Sequence, residues 1–229
     1  MTNEGDGLFA RVKGRPDKPI LVKVFDRETL ALTCEAELPA GYVFHFGNGW
    51  EEDNATIRFD MAFGSDCDEL QSFRKPMRGE MPSNVSICKH VTLPVSGAPR
   101  LADVRAGVEF PRINAARATL RNRYIFTAAR AVPGRSIWYD AVAKLDVDTG
   151  RHSFAQYGPD WMVEEHVFIP RPGAVREDDG WLIGTALNWR QQKTALSVFD
   201  ARHLDRGHLA RAWLEVAMPL GFHGQFVAG

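Results

Sequence analysis

Hydrophobic residues fall in short runs along this chain: PILVKVFD, YVFHF, ATIRFDMAF, NVSICKHVTL, YIFTAAR, SIWYDAVAKLDV, EEHVFIP, GWLIGTAL, TALSVFD and RAWLEV. Most are separated by Gly, Pro, Asp or Asn, as strands closed by turns are. No segment sustains a helical apolar period across three turns; QSFRKPMRG and AARATLRNR alone admit a short irregular helical stretch. The pattern predicts an all-β chain in which helices are decoration.

An internal echo sharpens the architecture. VKVFDRETL at 22–30 and LSVFDARHL at 196–204 share a strand, an Asp and a turn closing on Leu, and AKLDVDTG at 143–150 is a looser copy. Downstream of the first copy, ELPAGYVFH ends on His45; downstream of the last, AMPLGFHG contains His223. Repeats of short strands at irregular spacing suggest propeller blades, whose innermost strands lead toward a central axis. Histidines placed there from different blades converge. A β-sandwich is the rival architecture, which periodicity does not exclude.

Composition narrows the function classes. With 229 residues, 45% of them apolar and 25% charged, the chain has the material for a globular core. A net charge of -1 and a pI near 6.7 supply no basic field for nucleic acid or an anionic membrane surface. Cys34, Cys67 and Cys88 are odd in number and widely spaced, matching neither a disulfide framework nor a zinc site. They read as reduced thiols of a cytoplasmic protein. No apolar run approaches the roughly 20 residues that span a bilayer, and MTNEGDGLFARVKGRPDK lacks the apolar core of a signal peptide.

The candidate chemistry lies in the histidines: His45, His90, His152, His166, His203, His208 and His223. No pair has the spacing of a helical metal motif, and HLDRGH reads as a polar turn. A lone histidine in an apolar strand is ordinarily a hydrogen-bonded core residue. Two at matching points of two sequence copies are better explained by a shared axial site. A hydrolase has little support, since no Gly-x-Ser-x-Gly elbow is present.

Four segments then carry a resemblance: YVFHFGNGWEE, VEFPRIN, EEHVFIPRPGAVREDDGWLI and MPLGFHGQF. In this order they resemble the C-terminal half of the carotenoid cleavage oxygenases, non-haem iron dioxygenases built on a seven-bladed β-propeller. The resemblance implies Fe(II) as cofactor, with His45 and His223 as ligands. It implies that Glu109 and Glu165 hydrogen-bond those histidines from behind, with Glu164 the less fitting neighbour. The implied substrates are O2 and an apolar polyene or a lignostilbene-type stilbenoid, cleaved at a carbon-carbon double bond to two carbonyl products. Phe44, Phe46, Trp50, Phe110, Trp161, Trp189 and Phe222 are candidate walls of the substrate tunnel, in competition with plain core packing.

The family carries four iron histidines and about twice this length, whereas the resemblance spans residues from about 8 to 229 and reaches only two ligands. His90, His152, His166, His203 and His208 lie outside the ligand motifs, in sequence that reads as turn or outer strand. The expectation is one partial domain, 1–229, comprising about the last four blades of an open ring with the N-terminal half absent. A gene fragment or misplaced start codon is the first explanation. One chain of a split enzyme, completed by a complementary N-terminal half, and a non-catalytic propeller-derived binding module are the alternatives. The isolated chain is expected to be inactive, because two imidazoles leave Fe(II) with too few fixed ligands.

Overall fold

The computed structural model describes residues 14–65, 74–82 and 85–227. Strands β1 (Ile20–Phe25) and β2 (Leu32–Leu38) form a two-stranded sheet. Three four-stranded antiparallel sheets follow in chain order. The first comprises β3 (Tyr42–Glu51), β4 (Ile57–Gly64), β5 (Ile87–Leu93) and β6 (Arg100–Ala106). The second comprises β7 (Val108–Arg112), β8 (Tyr124–Ala129), β9 (Ala141–Asp146) and β10 (His152–Gln156). The third comprises β11 (Trp161–Pro170), β12 (Gly180–Asn188), β13 (Lys193–Asp200) and β14 (His208–Trp213). Each runs as a meander, and the leading strands pack side by side, with β7 between β3 and β11.

The burial of the middle sheet separates a propeller from a sandwich. All six residues of β8 are buried, and they alternate between two cores. Tyr124, Phe126 and Ala128 face a cluster shared with Val163, Phe168, Leu182 and Phe199 of the third sheet. Ile125 and Ala129 face the other way, into a cluster that includes Cys88 of the first sheet. A strand has two faces; here each is covered by a different neighbouring sheet, as in stacked blades. Phe126 and Phe168 stack across one of these junctions with ring centroids 5.3 Å apart.

Polar clamps join the blades as well. The Glu177 carboxylate accepts the backbone N–H groups of Arg123 at 2.9 Å and Tyr124 at 2.7 Å. Its neighbour Asp178 pairs with the buried Lys144 at 2.6 Å. The Glu-Asp-Asp-Gly run of the third motif is therefore an inter-blade fastening.

The sequence echo is a structural repeat. Asp26, Asp146 and Asp200 each end or follow a strand and accept N–H groups two or three residues on, from Glu28 and Thr29, from Asp148 and Thr149, and from Arg202. These side-chain-closed turns lead into the outer strand. Of the two helical candidates, 71–79 supplies a single turn, α1 (Arg74–Met77), and 115–123 a 3-10 turn at Ala115–Arg117. Cys34 and Cys88 are free thiols, and Cys67 lies outside the described residues. Among the described residues no helix is long and apolar enough to cross a membrane.

Candidate metal centre

The leading strands deliver the candidate residues through irregularities in their ladders. In β3, Val43 pairs with Phe63 and Phe46 with Met61, so Phe44 and His45 together oppose one residue of β4. In β7, Phe110 and Pro111 are the doubled positions directly after Glu109. In β11, Glu164 and Glu165 are doubled opposite Thr185. Such bulges re-aim side chains out of the strand's alternation. Here all three open at the junction where β3, β7 and β11 meet.

The C-terminal segment completes the group. His45 Nδ1 lies 2.6 Å from Glu109 Oε2, and His223 Nδ1 lies 3.1 Å from Glu165 Oε2. Both carboxylates are buried. Carboxylates accept, so each Nδ1 carries the ring proton and each Nε2 presents a lone pair. The two Nε2 atoms face each other at 3.1 Å. Opposed lone pairs repel unless a shared proton or a metal cation lies against both. Two nitrogens bound at right angles about 2.1 Å from one metal ion lie about 3.0 Å apart, so the pair fits two adjacent positions on a single metal. Among the described residues no cluster of three or more His, Cys, Asp or Glu side chains has metal-holding geometry, and these two nitrogens are what those residues offer.

The two carboxylates are supported differently. Glu109 Oε2 also accepts the Phe110 N–H at 2.6 Å, while its Oε1 is buried without a partner. Glu165 Oε1 accepts Arg112 Nη2 at 2.5 Å and the Gly224 N–H at 3.0 Å. Burial raises the Glu165 carboxyl pKa, but Arg112, Gly224 and His223 outweigh it and hold the group below the usual carboxylate range. Beside the imidazoles lies a cavity of about 300 Å³ lined by Phe44, Phe110, Trp138, Tyr139 and Phe222.

Comparison with known proteins gives the family and the fold. The model of the retinal pigment epithelial membrane protein family matches residues 5–228. The chain belongs to the carotenoid cleavage oxygenase family. It is 24% identical to the apocarotenoid-15,15'-oxygenase of Synechocystis over 94% of this chain and 44% of that protein. It is 34% identical to a carotenoid dioxygenase of Neurospora crassa over 59% of this chain and 22% of that one. The crystal structure of cobalt-substituted Synechocystis apocarotenoid oxygenase superposes with a TM-score of 0.80 at 23% identity, covering 94% of this chain and 45% of the other. The chain thus spans less than half the length of these relatives, and its fold is part of their propeller.

Not every residue singled out in the sequence reaches the cavity beside the two imidazoles. Phe44, Phe110 and Phe222 line the cavity. Phe46 points away, 61% exposed and against Phe59. Trp50 is buried beside His90 in a separate cleft between the first two sheets. Trp161 packs between Tyr157 and Trp213, and Trp189 lies partly exposed over Pro159. The reading of His166 as turn or outer strand is corrected: it is a buried residue of the leading strand β11. Its Nδ1 donates to the Glu164 carbonyl and its Nε2 accepts from the Tyr157 hydroxyl, both at 3.0 Å. His90, 2.7 Å from Asp60, lies on β5, the third strand of its sheet, between β4 and the outermost β6. His152 and His208 do lie on outer strands, and His203 lies in a turn.

Three contributors escaped the motif reading: Arg112, Trp138 and Tyr139. Backbone strain escaped it too. Phe110 and Phe222 both have positive φ, 56° and 63°, which costs non-glycine residues about 1–3 kcal/mol each. At Phe222 the His223 N–H closes back on the Gly221 carbonyl at 2.8 Å, a three-residue turn of the rare left-handed kind.

Proposed function

We propose that this chain is a single partial propeller domain carrying half of a non-haem Fe(II) dioxygenase centre, which cleaves an alkene bond in an apolar polyene or stilbenoid. The observation that carries the reading is the pair of opposed Nε2 atoms at 3.1 Å, each imidazole backed by a buried carboxylate from another strand. Family membership supports it, as do relatives named for carotenoid and apocarotenoid cleavage and a relative crystallised with cobalt in it.

Fe(II), when bound, would supply the activation of dioxygen that an alkene otherwise resists. His45 and His223 would hold it. Glu109 and Glu165 keep the Nδ1 protons in place, which fixes each ring's tautomer and orientation. The aromatic cavity holds a flat apolar substrate by stacking and excludes water. Adding O2 across a double bond to give two carbonyls moves no net proton, so the wall needs no acid or base of its own.

Two imidazoles do not hold Fe(II) tightly, and a complementary half bearing further histidines completes the shell in this reading. The test is to purify the chain alone and together with the N-terminal half of a relative, then measure bound iron and alkene cleavage under labelled O2. Alone, the chain should retain little iron and cleave nothing; complemented, it should retain stoichiometric iron and place one labelled oxygen in each carbonyl product. Stoichiometric iron and turnover in the isolated chain would overturn the claim of incompleteness. Iron retention unaffected by His45→Ala and His223→Ala in the complemented protein would overturn the metal role.

A further inference from the structure

His223 reaches the centre on backbone that belongs to no strand: Leu214 and Val216 still exchange backbone bonds with Thr194 of β13, but residues 217–227 have no backbone partner in a sheet. What fixes them is a set of side-chain acceptors and donors. The Glu164 carboxylate takes the Gly221 N–H on one oxygen and the Thr185 hydroxyl on the other. Glu165 takes the Gly224 N–H at 3.0 Å, and Arg112 Nη2 donates to the Gly224 carbonyl at 3.2 Å. The left-handed turn at Phe222 lies between these pins. A turn so disfavoured persists only where its surroundings over-determine it.

We infer that Glu164 is a positioning residue of the centre: with Glu165 on the far side, it clamps the turn at Phe222 and thereby aims His223 at His45. The inference rests on the proposed metal role of His223 for its consequence, although the clamp itself does not depend on it. The bulge in β11 is what makes the device available. By placing Glu164 and Glu165 together opposite Thr185, it lets two successive side chains serve one segment, where a regular strand would send them to opposite faces. Glu164 does not touch the His223 ring. Its effect passes through the backbone of residues 221–224.

The test uses the full chain, with Co(II) alone as the metal probe and amide hydrogen exchange as a readout that needs no metal. Glu164→Met keeps length and packing but has no acceptor for Gly221; Glu164→Gln keeps the acceptor. In Glu164→Met, the Gly221 and Gly224 amides should exchange at least 10-fold faster while β12 and β13 are unchanged, and Co(II) affinity should fall about 10–100-fold. Glu164→Gln should stay within about threefold of the parent on both readouts. Equal protection of the segment in parent and Glu164→Met overturns the inference. So does equal loss in both variants. Should Glu164→Met fail to fold, the parent decides: Gly221 and Gly224 must exchange far more slowly than the exposed Gln225, and equal rates overturn the clamp. Absent Co(II) binding in the parent would count against the metal reading alone, because exchange still reports on the clamp.

Discussion

His45 is built into a strand whose backbone bonds to β4, whereas His223 is carried by residues 217–227, which side chains rather than a ladder hold to the sheets. The partner carboxylates differ to match. Glu109 is a rigid residue of β7 with one oxygen unsatisfied, and Glu165 is compensated by a guanidinium and a backbone N–H. One arm of the centre is positioned by sheet geometry and the other by charge-assisted hydrogen bonds. The first should follow the global stability of the blades, and the second should be separately breakable.

The largest effect should come from the packing beneath both arms. Phe126→Ala removes a fully buried ring stacked on Phe168 and should cost about 3–5 kcal/mol in urea unfolding. Loss of the two arms in step would support a shared foundation; loss of only one would break it.

Acid should bear on the His223 side. Burial, against the opposing pull of the Glu164 carbonyl and the Glu165 charge, pushes the His166 imidazole down to about 4 from 6.5. The folded chain keeps that ring neutral, while the unfolded chain protonates it below about pH 6.5. Stability from this group is complete above pH 6.5 and declines as pH falls toward 4, by about 3 kcal/mol in all. Urea melts at a series of pH values should show the slope, and His166→Gln should flatten it.

Removing either carboxylate should weaken Co(II) binding about 10–100-fold, equivalent to about 1.4–2.7 kcal/mol. The comparison lies in the side effects. Glu109→Ala should leave amide exchange at 221–224 unchanged, whereas Glu165→Ala should release it. The smallest effect is that of Arg112→Ala, whose guanidinium is 39% exposed and therefore partly screened. It should cost about 1 kcal/mol of stability and perturb the ring resonances of His223 while sparing those of His45.

The sequence carried the centre better than its walls. The strand-Asp-turn echo pointed to His45 and His223, because repeated blades put matching residues at matching radii, and the family segments added Glu109 and Glu165; the four lie together in the structure. The aromatic wall was misjudged at Phe46 for a physical reason. Strand alternation puts Phe44 and Phe46 on one face with His45 on the other. The bulge instead turns Phe44 and His45 into the same cavity and sends Phe46 outward. Nothing in YVFHF marks where the ladder slips. Arg112 was missed, and Glu164 was ranked behind Glu165, for a similar reason: the Gly224 carbonyl and Gly221 N–H they bind lie in a segment without secondary structure, which no periodicity describes. His166 looked peripheral because its flanking residues, Glu165 and Val167, do not reveal that Tyr157 and the Glu164 carbonyl satisfy both ring nitrogens inside the core.

The contact between His45 and His223 joins residues 178 positions apart. At a synthesis rate of about 5–20 residues per second, roughly 9–36 s separate the making of one imidazole from the other. Antiparallel hairpins close in microseconds, so the blades have ample time to form before His223 exists. Assembly of the centre is then a late docking of a short tail onto finished sheets. During synthesis, His45 waits with its Nδ1 already held by Glu109, and its Nε2 meets no second imidazole of this pair until residues 217–227 dock.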